Sequence, residues 1–142
     1  MRKITGIVAI IGSLLISGCL STAPYDQRAY ETAVDLKVDS LLLMNDASEH
    51  YTQHADEAQA ILLRIQRAYE YAKGRPGNLE TTMQWAKMMD PDDKLMAGFV
   101  ADWQNKGTIK PVMIENKKEM MGDAYDTIID LEAAKIKKQG IL

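Results

Sequence analysis

His50 and His54 are the only histidines in a chain of 142 residues, and a spacing of four would set both imidazoles on one face of a helix. Asp46 and Glu57 lie one turn to either side, so this stretch has the composition of a divalent-metal site. It departs from the zinc-protease pattern H-E-x-x-H, because the position that must supply the general base is Tyr51. A polar flank beside the core is the first reading of the two histidines, and a metal or small-ligand site the second. Asp90, Asp92 and Asp93 do not make a calcium loop: counted from Asp90, the positions that require glycine and glutamate are Leu95 and Ala101. They read instead as the capped start of a helix. Met88–Met89 and Met120–Met121 offer thioethers to copper(I), yet neighbours on a helix point about 100° apart, which suits core filling better than chelation.

Nucleophilic catalysis finds no motif: the chain has no G-x-S-x-G, no glycine-rich phosphate loop and a single cysteine, Cys19. That cysteine follows a distinctive leader. Arg2 and Lys3 give a positive start, and Ile4 to Ile16 is an apolar run of about 20 Å if helical, too short for the roughly 30 Å hydrocarbon layer. Residues 1–18 therefore read as a cleaved signal peptide. The sequence Ile16-Ser17-Gly18-Cys19 resembles the bacterial lipobox at all four positions. The resemblance implies diacylglyceryl transfer to the Cys19 sulfur, cleavage before it, and acylation of the new amino terminus. It also implies a lipid-anchored protein of the bacterial envelope. Leu20, rather than aspartate, follows the cysteine, which points to the outer membrane with the body facing the periplasm. No cofactor is expected beyond this covalent lipid.

Losing Arg2 and Lys3 with the leader leaves 15 basic against 20 acidic residues, a net charge of −5. An acidic body without a basic patch excludes phosphate-directed nucleic-acid binding. With no second cysteine to pair, the body must be held by packing.

The elements that would carry these groups are helical. Residues 19–25 read as an acylated tether and 26–142 as one domain. From Asp26 to Lys73 there is neither proline nor glycine, and a seam runs through Tyr30, Val34, Lys37, Leu41, Met44, Ser48, Tyr51, Ala55, Ala58, Leu62, Ile65, Tyr69 and Ala72. These alternating steps of three and four predict one long N-terminal helix, with Asn45–Ser48 as the place for a bend. Val38, Leu42, Ile61 and Ala68 lie beside the seam and are expected to widen the buried face. Gly74 and Pro76 end this helix, and Asn78 is placed to cap a second. Asp90 opens a third segment that Gly107 ends, and Pro111 starts the last, whose inward positions are read as Met121, Ala124, Ile128 and Leu131. Trp85 and Trp103 anchor their helices in the core. Arg75 sits in the turn at a bundle tip, and Lys135, Lys137 and Lys138 close the last helix where lysines offset its dipole. The fold expected is all-α, an up-down bundle of three or four helices. The function expected is that of a membrane-anchored, non-enzymatic adaptor or scaffold for another envelope component, with metal or small-ligand binding through His50 and His54 as the alternative.

Overall fold

The computed structural model describes residues 22–140. Among them the chain is all-helical: α1 (Gln27–Asn45), α2 (Ala55–Lys73), α3 (Leu79–Met89), α4 (Met96–Lys106) and α5 (Pro111–Lys138). Five helices replace the three or four expected. The long N-terminal helix is two helices of 19 residues each, separated by single 3-10 turns at Asp46–Ser48 and Tyr51–Gln53. The break falls where the sequence would allow a bend, but it is a joint rather than a curve. Its backbone pairs with the loop between α4 and α5: Tyr51 N–H donates to the Gly107 carbonyl at 2.8 Å, and Ile109 N–H to the Ala47 carbonyl at 2.7 Å. Those bonds satisfy groups that a continuous helix would have paired internally.

Asp26 caps α1 through its carboxylate, which accepts from the Ala29 N–H at 2.9 Å. The deeply buried residues of α1 are Ala33, Leu36, Ser40, Leu43 and Met44; the predicted seam is buried at Met44 but only half-buried at Tyr30, Val34, Lys37 and Leu41, because Ala33, Leu36 and Ser40, one position before it, face inward. Ser40 faces inward because its hydroxyl meets that of Tyr125, at 2.7 Å and fully buried. Burial pushes the Tyr125 phenol well above its ordinary value, so it stays a neutral partner. Val38 and Leu42 are correspondingly exposed, whereas Ile61 and Ala68 are buried on α2 as expected.

α1 packs against α5 and α2, and α3 against α2 and α5. Lys37 pairs with Asp126 and Lys118 with Asn45, so rising numbers on α1 meet falling numbers on α5. Trp85 meets Tyr125 edge-on at 6.1 Å, and Trp103 packs with Tyr51 and Phe99. α4 begins at Met96, not at Asp90; Asp90 and Asp93 instead bond the backbone N–H groups of Asp92 and Lys94 in the preceding turn. Gly98 permits this, since a Cβ there would lie 1.7 Å from the Asp93 carbonyl oxygen.

The last helix carries two charged residues into the interior. Glu132 and Lys135 are buried beside Ile128, while Ala124 and Leu131 are only half-buried. Lys135 donates to the carboxylate of Glu132 and to Asn78 Oδ1, and Arg75 reaches the other carboxylate oxygen of Glu132 at 3.3 Å. Asn78 caps nothing with its side chain; its amide donates to the Ala72 carbonyl at 3.1 Å. Removing one member of a buried ion group leaves the others without counter-charge, at a cost of about 3–5 kcal/mol. Glu132→Ala is expected to lose about that much in urea unfolding, and a loss under about 1 kcal/mol would show that the cluster contributes little.

Candidate functional site

Two regions of the body, at opposite ends of α1, carry the groups that the sequence singles out. The first is the joint between α1 and α2. His50 and His54 do not share a helical face, because His50 precedes the second 3-10 turn and His54 follows it. His50 Nδ1 lies 2.9 Å from Thr52 Oγ1, and its ring rests on Gly107, where a Cβ would come within 2.9 Å of Nε2. Gly107 also has φ of +79°, so glycine is required there twice over. His54 turns the other way. Its Nε2 is 2.9 Å from Glu49 Oε2 and its Nδ1 is 3.9 Å from Glu57 Oε2. One donor atom from each of Asp46, His54 and Glu57 lies within 4.8 Å of the others, and His50 does not belong to this group. The histidine pair that the sequence offered as its second reading is therefore not brought together, and one histidine stands among carboxylates. The physical reason is the joint, which removes the i, i+4 geometry on which the pair depends.

Trp103 organises this corner. Its indole N–H donates to the Glu49 carbonyl at 3.0 Å, and its ring lies 5.6 Å from the His54 ring at an interplanar angle of 31°. The Glu49 hydrogen bond raises the pKa of His54 above its ordinary 6.5; burial opposes this, and the charges of Asp46, Glu49 and Glu57 add to it.

The second region lies where α2 turns into α3 and α5 ends. Residues 22–25, read from the sequence as part of a tether, are packed there. Ala23 is buried and donates its N–H to the Gly77 carbonyl at 3.0 Å, Arg75 donates to the Pro24 carbonyl, and Lys138 reaches Thr22 Oγ1 at 3.2 Å. Tyr71 donates to Asp26 at 2.6 Å. Burial alone would raise the Asp26 pKa, but the bonds from Tyr71 and Ala29 outweigh it and hold the carboxyl below its usual range. A groove of about 370 Å³ beside Thr22 is lined by Leu79, Met83, Leu131 and the stem of Lys138, and Leu79 is 72% exposed. Comparison of the chain with family models, with curated proteins and with solved structures finds no match. The predicted lipidation site Cys19 and the leader 1–18 lie outside the described residues.

Between the two regions, α1 and α2 enclose a cleft of about 190 Å³ bearing Arg28, Arg64, Arg67 and Tyr71 over Trp85 and Glu132. Arg64 is paired with Asp39, and Arg28 stacks 5.0 Å above the Tyr71 ring. No sequence motif marks this cleft, because it gathers residues from four helices; the residues that sequence reasoning missed, Glu49 and Glu132, carry no spacing signal either.

A histidine whose folded pKa is raised adds stability that is fully present below the unfolded value and is lost as pH climbs through the folded one. In chelator, His54→Gln should therefore destabilise the protein more near pH 5.5 than near pH 8.5 in thermal unfolding. An equal loss at both pH values would remove His54 as the titrating group.

Proposed function

We propose that the protein is a lipid-anchored envelope lipoprotein whose helical body serves as a non-enzymatic adaptor for another envelope component. Supporting the anchor is Ile16-Ser17-Gly18-Cys19, with its charged start and short apolar run. The observation that carries the mechanical part is the packing of residues 22–25. Cys19 precedes the first of them by three residues, which even fully extended reach only about 10 Å. A diacylglyceryl group on Cys19 and an acyl chain on its amino group give stable membrane attachment, since each buried methylene contributes about 0.8 kcal/mol. The body is then held with the α2–α3 turn and the end of α5 toward the bilayer, and the joint pointing away. In this reading the membrane, probed through Cys19, is the first partner and an envelope protein the second.

The helices are read as an up-down bundle. The pairs Thr22–Lys138, Lys37–Asp126 and Asn45–Lys118 support opposite directions for α1 and α5, and Asp26–Tyr71 with Asp39–Arg64 supports the same for α1 and α2. No described helix is long and apolar enough to cross a membrane, so attachment in this account rests on the lipid. The surface offered to the protein partner is the pair Val38 and Leu42, four residues apart on α1 and each more than half exposed.

Feeding cells a labelled fatty acid should mark the wild type and leave Cys19→Ser unmarked, with the leader 1–18 uncut because cleavage follows diacylglyceryl transfer. Val38→Glu with Leu42→Glu should leave the melting temperature nearly unchanged but abolish crosslinking in intact cells to the protein captured by wild type. A wild type without label, or equal labelling of the serine variant, would sink the anchor, and unchanged crosslinking by the glutamate variant would sink the assigned face.

A further inference from the structure

The joint between α1 and α2 gathers negative charge that no described lysine or arginine neutralises. Asp46, Glu49 and Glu57 surround His54, and the ion pairs among the described residues give these carboxylates no partner other than His54. Several acids elsewhere on the body do have such a partner: Asp39 has Arg64, Asp102 has Lys106 and Lys117, Asp126 has Lys37. The joint differs also in holding a nitrogen donor.

We propose that Asp46, His54 and Glu57 bind a divalent transition-metal cation of the zinc type, with Glu49 as the residue that positions the histidine. Ligand atoms about 2.0–2.2 Å from zinc stand roughly 3–3.5 Å from one another. His54 Nδ1 and Glu57 Oε2 are already 3.9 Å apart, and the Glu57 side chain is 61% exposed and free to close the difference. Glu49 decides which ring nitrogen does the binding. Its carboxylate accepts the Nε2 hydrogen, so the neutral ring keeps its lone pair on Nδ1, the nitrogen on the Glu57 side. A carboxylate behind the imidazole also makes the ring a stronger donor, as in carboxylate–histidine–zinc arrangements. The Trp103 indole fixes the Glu49 backbone and packs against the His54 ring, so the orientation exists before the ion arrives.

The donor set selects the class of ion. Calcium and magnesium take oxygen ligands and gain little from imidazole, whereas one nitrogen with two carboxylates suits zinc and its first-row neighbours. Three protein ligands leave the fourth position to water. Asp46 belongs to the turn that ends α1 and Glu57 to the first turn of α2, so a bound ion ties the two helices across the joint. Occupancy should therefore raise the melting temperature.

The test uses the full chain in detergent, stripped with chelator and titrated with zinc chloride against a chromophoric competitor. One zinc per chain is expected. His54→Ala and Glu57→Gln should each weaken binding at least tenfold, Glu49→Ala about tenfold, and His50→Ala should bind as wild type. Because Glu57 is exposed, Glu57→Gln should keep the wild-type circular dichroism and melting temperature in chelator, yet lose the rise in melting temperature that zinc gives the wild type. The proposal is overturned if the wild type takes up no stoichiometric zinc, if Glu57→Gln binds as wild type, or if His50→Ala loses as much affinity as His54→Ala. None of these readouts depends on the acylation of Cys19, so failure here leaves the anchor untouched.

Discussion

Glu132 is 1% exposed and has to keep its charge company in the interior. A lone carboxylate there would cost several kcal/mol or take up a proton. Lys135, one turn on, and Arg75, from the turn after α2, remove that penalty, and Asn78 and Thr81 accept the other hydrogens of Lys135. Burial lowers the Lys135 pKa, and the Glu132 carboxylate counters it. No buried side-chain nitrogen or oxygen among the described residues lacks a partner. The cluster does more than satisfy itself. Arg75 also holds the Pro24 carbonyl, and the Asn78 amide holds the end of α2, so the entry to α1, the α2–α3 turn and the end of α5 close on one ionic centre. A charge at this position ties these segments together in a way that an apolar side chain of equal volume would not.

The two ends of α1 then differ in kind. At one, residues 22–25 leave the body from a tight ionic closure, and the chain toward Cys19 begins there. At the other, the body has a joint whose backbone is held by the α4–α5 loop and whose surface collects acids around one imidazole. α1 has 19 residues, which sets these ends about 28 Å apart. The proposed adaptor role would use this separation, because an end held near a bilayer would not also present a free surface. Apolar Val38 and Leu42 are exposed in the half of α1 nearer the joint.

Much of the helical layout was legible because glycine and proline act locally. Gly74, Gly107 and Pro111 stop and start helices at the predicted places, since each acts through its own backbone and needs no distant partner. The joint was not legible as a break, because buried residues keep steps of three and four through it: Ser40, Leu43, Ala47, Tyr51. What opens the helix is the pairing of Ala47 and Tyr51 with a loop some sixty residues later. The register error in α1 has a similar origin. Ser40 is a core position only because Tyr125 supplies its hydrogen bond, and Leu41 with Leu42 looked the better inward choice. Lys135 looked like a solvated helix end, and Glu132 drew no notice; their burial depends on Arg75 and Asn78, which arrive from elsewhere in the chain. For the candidate site, His54 and its acids were visible as residue types, but which nitrogen points where follows from Glu49 and Trp103.

The central claim is that a lipid on Cys19 and the packed segment 22–25 hold the α2–α3 end of the body against a bilayer. It is tested most directly by depth. Acylated protein carrying a fluorophore on Glu80→Cys or on Ser48→Cys would be reconstituted into vesicles containing nitroxide-labelled headgroups. The account predicts strong quenching at position 80, beside the packed segment, and almost none at position 48, in the joint. Equal quenching at the two positions, or stronger quenching at 48, would contradict it.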